Sequence, residues 1–135
     1  MFSKPPVIFP DMTLWAITYL RAALTARSEP FASGVSVLTK VPNAVPARLV
    51  TVRDNSGSRR PDVTKVASLG VNVWAANDAD CADLSNLIAA LFEASVGNGP
   101  VVGHLNGFGP YPVADESARP LRYLTVDLVV RGTSL

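Results

Sequence analysis

Apolar residues at Leu14, Ile17, Leu20 and Leu24, with Arg21 beside Leu20, recur at three- and four-residue steps. That repeat marks one face of an α-helix. Asp11 stands just before it, and its carboxylate can accept a free amide proton of the first turn. The pattern predicts a helix from Asp11 to about Ala26, ending before Pro30. Val35 to Val41 is short, β-branched and apolar and ends at Pro42, and Arg48 to Arg53 reads Arg-Leu-Val-Thr-Val-Arg, so both predict strands. Thr64 to Ala75 predicts a long strand: Ala67, Leu69, Val71 and Val73 fall on one face, Ser68, Gly70 and Asn72 on the other. Such alternation fits a sheet with one side covered by helices. A second helix is predicted from a cap at Asn77 or Asp78 to about Ser95, with Leu84, Leu87, Ile88 and Leu91 as its buried stripe. Asp80 and Asp83 suit its positive end, and Gly97 suits its termination.

Val101 to Leu105 predicts a short strand, followed by a Gly- and Pro-rich loop from Asn106 to Pro112. Leu121 to Arg131 predicts the last strand, with Leu124, Val126, Leu128 and Val130 on its core face. The order is helix, two strands, long loop, strand, helix, two strands. It predicts an α+β fold, a mainly antiparallel four- to five-stranded sheet with two helices packed on one face. Matching periodicities predict that Leu84, Ile88 and Leu91 pack on Leu69, Val71 and Val73 and on Leu124, Val126 and Leu128.

The length, 135 residues, fits a single domain, 1–135, with an extended arm over about 1–10, where Pro5, Pro6 and Pro10 interrupt any helix. Those prolines, with only Lys4 as a basic residue, do not make a secretory signal, so a cytoplasmic product is expected. Composition adds a partner to this picture. Hydrophobic residues make up 48% and charged residues 17%, against about 25% charged in typical soluble domains. The longest apolar run, Leu14 to Leu24, is interrupted by Arg21 and falls short of the ~20 residues of a membrane span. A membrane is therefore not the expected cover, and a second copy of the chain is. The net charge of +1 argues against broad non-specific nucleic-acid binding.

Candidate chemistry is sparse. His104 is the only histidine, lies in a candidate strand without a motif, and reads as structural rather than as a catalytic base. Cys81 falls on the apolar stripe of the second helix and reads as a buried, inert thiol. Zinc needs three or four Cys or His ligands, and the chain has two such residues. Asp78, Asp80 and Asp83 read as a helix-start charge pattern rather than a cation site. The glycines at 97, 99, 103, 107 and 109 precede a strand and not a helix, so they form no phosphate cradle. No enzyme, metal or cofactor is expected. The segment Asp54 to Asp62 is polar and has no large apolar residue of its own, which predicts a mobile loop. Arg59 and Arg60 in it, with Arg53 and Lys65 nearby, suit non-specific contact with phosphate.

Four stretches, taken in order, resemble tail terminator proteins of long-tailed phages that infect actinobacteria. They are Met12 to Ala26; Val41-Pro42-Asn43 through Arg48 to Arg53; Val71-Asn72-Val73-Trp74-Ala75-Ala76 leading into an alanine-rich helix; and Gly109-Pro110-Tyr111-Pro112, Asp115-Glu116 and Arg119-Pro120-Leu121-Arg122-Tyr123 running into the closing strand to Gly132. The resemblance implies a structural protein of the virion. Six copies would form a ring on the head-proximal end of the tail tube, stop its polymerisation and offer a surface to head-completion or connector proteins. DNA would pass through the ring in transient, non-specific contact. On that reading Arg53, Arg59, Arg60 and Lys65 are candidates for the lumen or a neighbour, and Tyr111, Arg119, Arg122 and Tyr123 for contacts between subunits or on a ring face. Other ring-forming connector, head-completion and tail-tube proteins share these broad features. A small nucleic-acid-binding module and a hydrolase using His104 are the rival classes.

Overall fold

Two helix starts are set by single polar side chains. Asp11 accepts the amide of Leu14 at 3.1 Å and opens α1 (Met12–Thr25), and Asn77 accepts that of Asp80 at 2.8 Å and opens α2 (Asp78–Glu93). A computed structural model, which describes residues 5–60 and 63–135, places both helices on one face of a five-stranded sheet. The strands are β1 (Val7–Ile8), β2 (Val35–Leu38), β3 (Arg48–Asp54), β4 (Thr64–Trp74), β5 (Val101–Val113), β6 (Leu121–Arg131) and β7 (Thr133–Ser134). The main sheet has the order β2-β3-β4-β6-β5, and β1 pairs with β7 in a separate two-stranded ribbon. The fold is thus α+β, as the periodicities predict. Its sheet is mixed, because β2 runs parallel to β3 while every other pair is antiparallel.

Alternation fixes which side of each strand meets the helices. Val50 and Val52 face Val73 and Val71 across β3 and β4, and Leu69, Val71 and Ala67 face Val126, Leu124 and Leu128 across β4 and β6. These residues form one core with Leu84 and Ile88, all nearly or fully buried. The predicted packing of α2 therefore holds fully for Leu84 and Ile88, and for Leu91 only at the margin of the core. The fully buried stripe is Cys81, Leu84, Ser85, Ile88 and Phe92, while Leu87 and Leu91 are only partly buried at its margin. The four-residue step from Ile88 reaches Phe92, and the larger ring takes the central position. On α1 the buried face is Met12, Ala16, Ile17, Leu20 and Leu24, and Leu14 is 62% exposed. Tyr19 links the two helices: its hydroxyl donates to the Leu91 carbonyl at 2.6 Å, and its ring stacks on Trp15.

Among the described residues, no helix covers the other sheet face. A small second cluster of Leu49, Trp74 and Leu121, with Leu38 against it, closes one end of that face. Arg48 ties this end to α2: its guanidinium donates to both Asp80 carboxylate oxygens, at 2.9 and 3.2 Å, and to the Ser33 carbonyl at 2.8 Å. The main departure from expectation is β5. The residues predicted as a loop, Asn106 to Pro112, continue the strand to Val113 and pair with β6 between Asp127 and Leu121. Three register shifts, at Val101/Gly103, His104/Asn106 and Phe108/Tyr111, absorb the extra residues. β-Bulges of this kind let a Gly- and Pro-rich sequence remain in a ladder at a sheet edge.

Candidate functional site

The sheet face away from the helices gathers residues from both predicted groups. Tyr123 on β6 stands beside Asn72 of β4, and Arg53 at the end of β3 lies opposite Gly70. Gly70 has no side chain, and the space above it is filled by its neighbours: a Cβ there would fall 2.5 Å from the Tyr123 hydroxyl, 2.7 Å from Asn55 Nδ2 and 3.1 Å from Arg53 Nε. Arg53 and Asn55 each donate to the Tyr123 hydroxyl at 3.3 Å, and the Arg53 guanidinium lies 5.5 Å from the Tyr123 ring centre. Tyr111 of β5 meets that ring edge-on at 5.8 Å. The result is an open platform of two tyrosines, an amide and one guanidinium. It suits contact with a polar surface, and it holds no acid–base pair.

Arg59 and Lys65 belong to a different place. They bridge each other across the β3–β4 connection, and both cations lie 5.2 Å from the ring of Phe9. Phe9 comes from the N-terminal arm, whose β1 pairs with β7. The connection is therefore not the unanchored loop that its own composition predicts. Asn55 donates to the Ser68 carbonyl at 2.8 Å, Val66 to Ser58 at 2.8 Å and Arg60 to Thr64 at 3.1 Å, so residues 55–60 run back along β4. The Arg60 side of this strip is exposed, and Asp62, predicted as its end, lies outside the described residues. Sequence reasoning missed Phe9 because the anchor lies about fifty positions from the segment it holds.

Arg119 and Arg122 are engaged within the subunit. Arg119 Nη2 donates to the carbonyls of Pro46 and Ala47, at 2.8 and 2.9 Å, and so joins the β5–β6 connection to the β2–β3 connection. Arg122 reaches Asp78 at 3.4 Å, a weak pair because Asp78 is largely exposed. Of the four residues expected at subunit contacts, Tyr111 is the most open, at 46%.

The remaining candidates fall as follows. His104 pairs with Leu128 on the helix side of β5 and lines a depression of about 80 Å³ with Glu93, Phe108 and Thr125, far below the roughly 300–1,000 Å³ of ligand pockets. A wider open cleft of about 380 Å³ is lined by Val41, Val45 and Trp74 and walled by Asp115, Glu116 and Arg119. Among the described residues no three His, Cys, Asp or Glu side chains stand close enough to hold a metal, and no helix is long and apolar enough to cross a membrane. Cys81 is buried, its thiol donates to the Val73 carbonyl at 3.2 Å, and burial pushes its pKa up. Little thiolate forms near neutral pH, and none is accessible. The native chain is expected to resist a thiol-specific disulfide reagent over the time in which the urea-unfolded chain reacts completely. Rapid native labelling would show that the start of α2 opens.

No protein-family model and no curated protein matches this chain.

Proposed function

We propose that this chain is a structural, non-enzymatic protein of a tailed phage that acts as a tail terminator, six copies of it forming a ring on the head-proximal end of the tail tube. The observation that carries the reading is the order of the four stretches that resemble such proteins. They fall in succession on α1, on the β2–β3 segment, on the end of β4 leading into α2, and on the end of β5 leading into β6. The resemblance thus runs through the whole helix-and-sheet domain rather than through one local motif. The low charge content and the bare sheet face with its Arg53–Tyr123–Tyr111 platform support it, since both call for neighbouring protein.

Termination needs two unlike ring faces. One must match the growing end of the tail tube, and the other must reject a further tube subunit and accept a head-completion or connector protein. DNA passing through the lumen would meet only a weak field, because Arg59 and Lys65 are partly engaged with Phe9 and the net charge is small. Locating the protein in purified virions by three-dimensional reconstruction tests the reading. Six copies in one ring between tube and head are expected. Several stacked rings along the tube would make it a tube protein, and a position inside the head would reject the tail assignment.

A further inference from the structure

We propose that the open edge of β5 is the surface on which one copy of this chain docks onto another; the choice of partner rests on the ring reading. Of the two edges of the main sheet, β2 is four residues long and carries a cation. Arg21 donates to the Val37 carbonyl from Nε at 3.2 Å and Nη2 at 2.8 Å. Charge on an edge strand discourages further association there. β5 is thirteen residues long and mostly exposed, and no Asp, Glu, Lys or Arg occurs between Glu93 and Asp115. Along it Val102 is 44% exposed, Leu105 47%, Phe108 71% and Tyr111 46%.

The register shows how this edge can be used. Val102 and Leu105 are the extra residues of two bulges, skipped between the partners Val101/Gly103 and His104/Asn106, and Pro110 and Pro112 have no amide proton. A foreign strand cannot add along such an edge for its full length. The partner must pack against side chains instead. The exposed parts of these side chains and of Val113 amount to on the order of 400 Å². One side of a standard interface covers roughly 800 Å², a little over half of it apolar, so the patch matches the apolar share of one stable contact. An apolar patch of this size on a small domain is often functional. A copy of the same chain is present whenever the chain is, which a protein encoded elsewhere is not.

Sedimentation velocity over a wide concentration range tests the proposal with the full chain. The wild type should exceed its 14.3 kDa monomer mass as concentration rises. The double variant Leu105→Lys, Phe108→Lys should associate at least ~100-fold more weakly, with an unchanged melting curve at concentrations where both chains are monomeric, because both side chains are exposed. Val102→Lys should weaken association as well. Leu14→Lys, at an exposed apolar position on α1, should leave it unchanged. A wild type that stays monomeric throughout, a double variant that associates like the wild type, or loss of association in Leu14→Lys would each overturn the proposal. The virion reconstruction separates this from the ring reading. A ring whose β5 edges face solvent removes the docking surface and keeps the terminator. Self-association through β5 by a protein absent from tails does the reverse.

Discussion

Replacing Phe92 with alanine is expected to cost about 3–5 kcal/mol of stability, more than any other single truncation in the second helix. Phe92 is fully buried and heads the fully buried side chains in volume. It sits in the last turn of α2, above Ile88 and Leu84 on the same stripe, and joins the core that α2 forms with β4, β5 and β6. Removing the ring leaves a cavity that the surrounding strands can fill only in part, because each is held in register by its neighbours. Ile88→Ala should follow at about 2–5 kcal/mol, and Leu91→Ala should cost less, since Leu91 is only partly buried. A small domain has a total stability of about 5–15 kcal/mol, so the Phe92 variant should be near its limit at room temperature. Equilibrium urea unfolding measures all three. If Leu91→Ala proved the costliest, the helix would be rotated by one position from the register described above.

That rotation marks where the sequence is readable and where it is not. β4 and β6 are legible because apolar and polar positions alternate from Ala67 to Val73 and from Leu124 to Leu128, and a one-residue slip would turn those apolar side chains to the open face. α2 is legible as a helix, but its leucines are too many to name the buried ones. Leu87 and Leu91 are as apolar as Leu84, and only the shape of the core selects Phe92 over Leu91. Leu14 misleads in the same way, since it continues the apolar spacing of α1 yet ends at the surface. The second half of β5 is illegible for a different reason. Gly107, Gly109, Pro110 and Pro112 are turn residues by local preference, and the ladder with β6 overrides that preference by bulging. The site residues are harder still. Tyr123 lies seventy positions from Arg53 and Phe9 lies fifty from Arg59, so no local pattern could pair them. Arg119 and Arg122 read as surface contacts because nothing nearby in sequence reveals the carbonyls of Pro46 and Ala47 or the carboxylate of Asp78.

Gly57→Ala is expected to detach residues 55–60 from β4 while leaving the main sheet folded. A Cβ at this position would stand 1.7 Å from the Val66 carbonyl oxygen and 2.6 Å from its carbon. Both are main-chain atoms inside β4, so no side-chain rotation can relieve the clash. The strip must move away, and it then loses the bonds from Asn55 to Ser68, from Val66 to Ser58 and from Arg60 to Thr64. At about 0.5–1.5 kcal/mol net for each bond, offset by the freedom the strip regains, the variant should lose about 1–3 kcal/mol. The local signs should be larger than the global one. The Val66 amide, whose acceptor is Ser58, should exchange with solvent much faster, while the Leu124 amide in β6 should keep its protection. Trypsin should cut after Arg59 sooner, because the contact with Phe9 goes when the strip leaves; the bond after Arg60 is shielded by Pro61 in either chain. Ser58→Ala is the matched control, because it keeps the main-chain bond and adds no atom next to β4. Wild-type exchange at Val66 in the Gly57→Ala chain would mean that the strip does not lie against β4, and the anchoring by Phe9 would have to be abandoned with it.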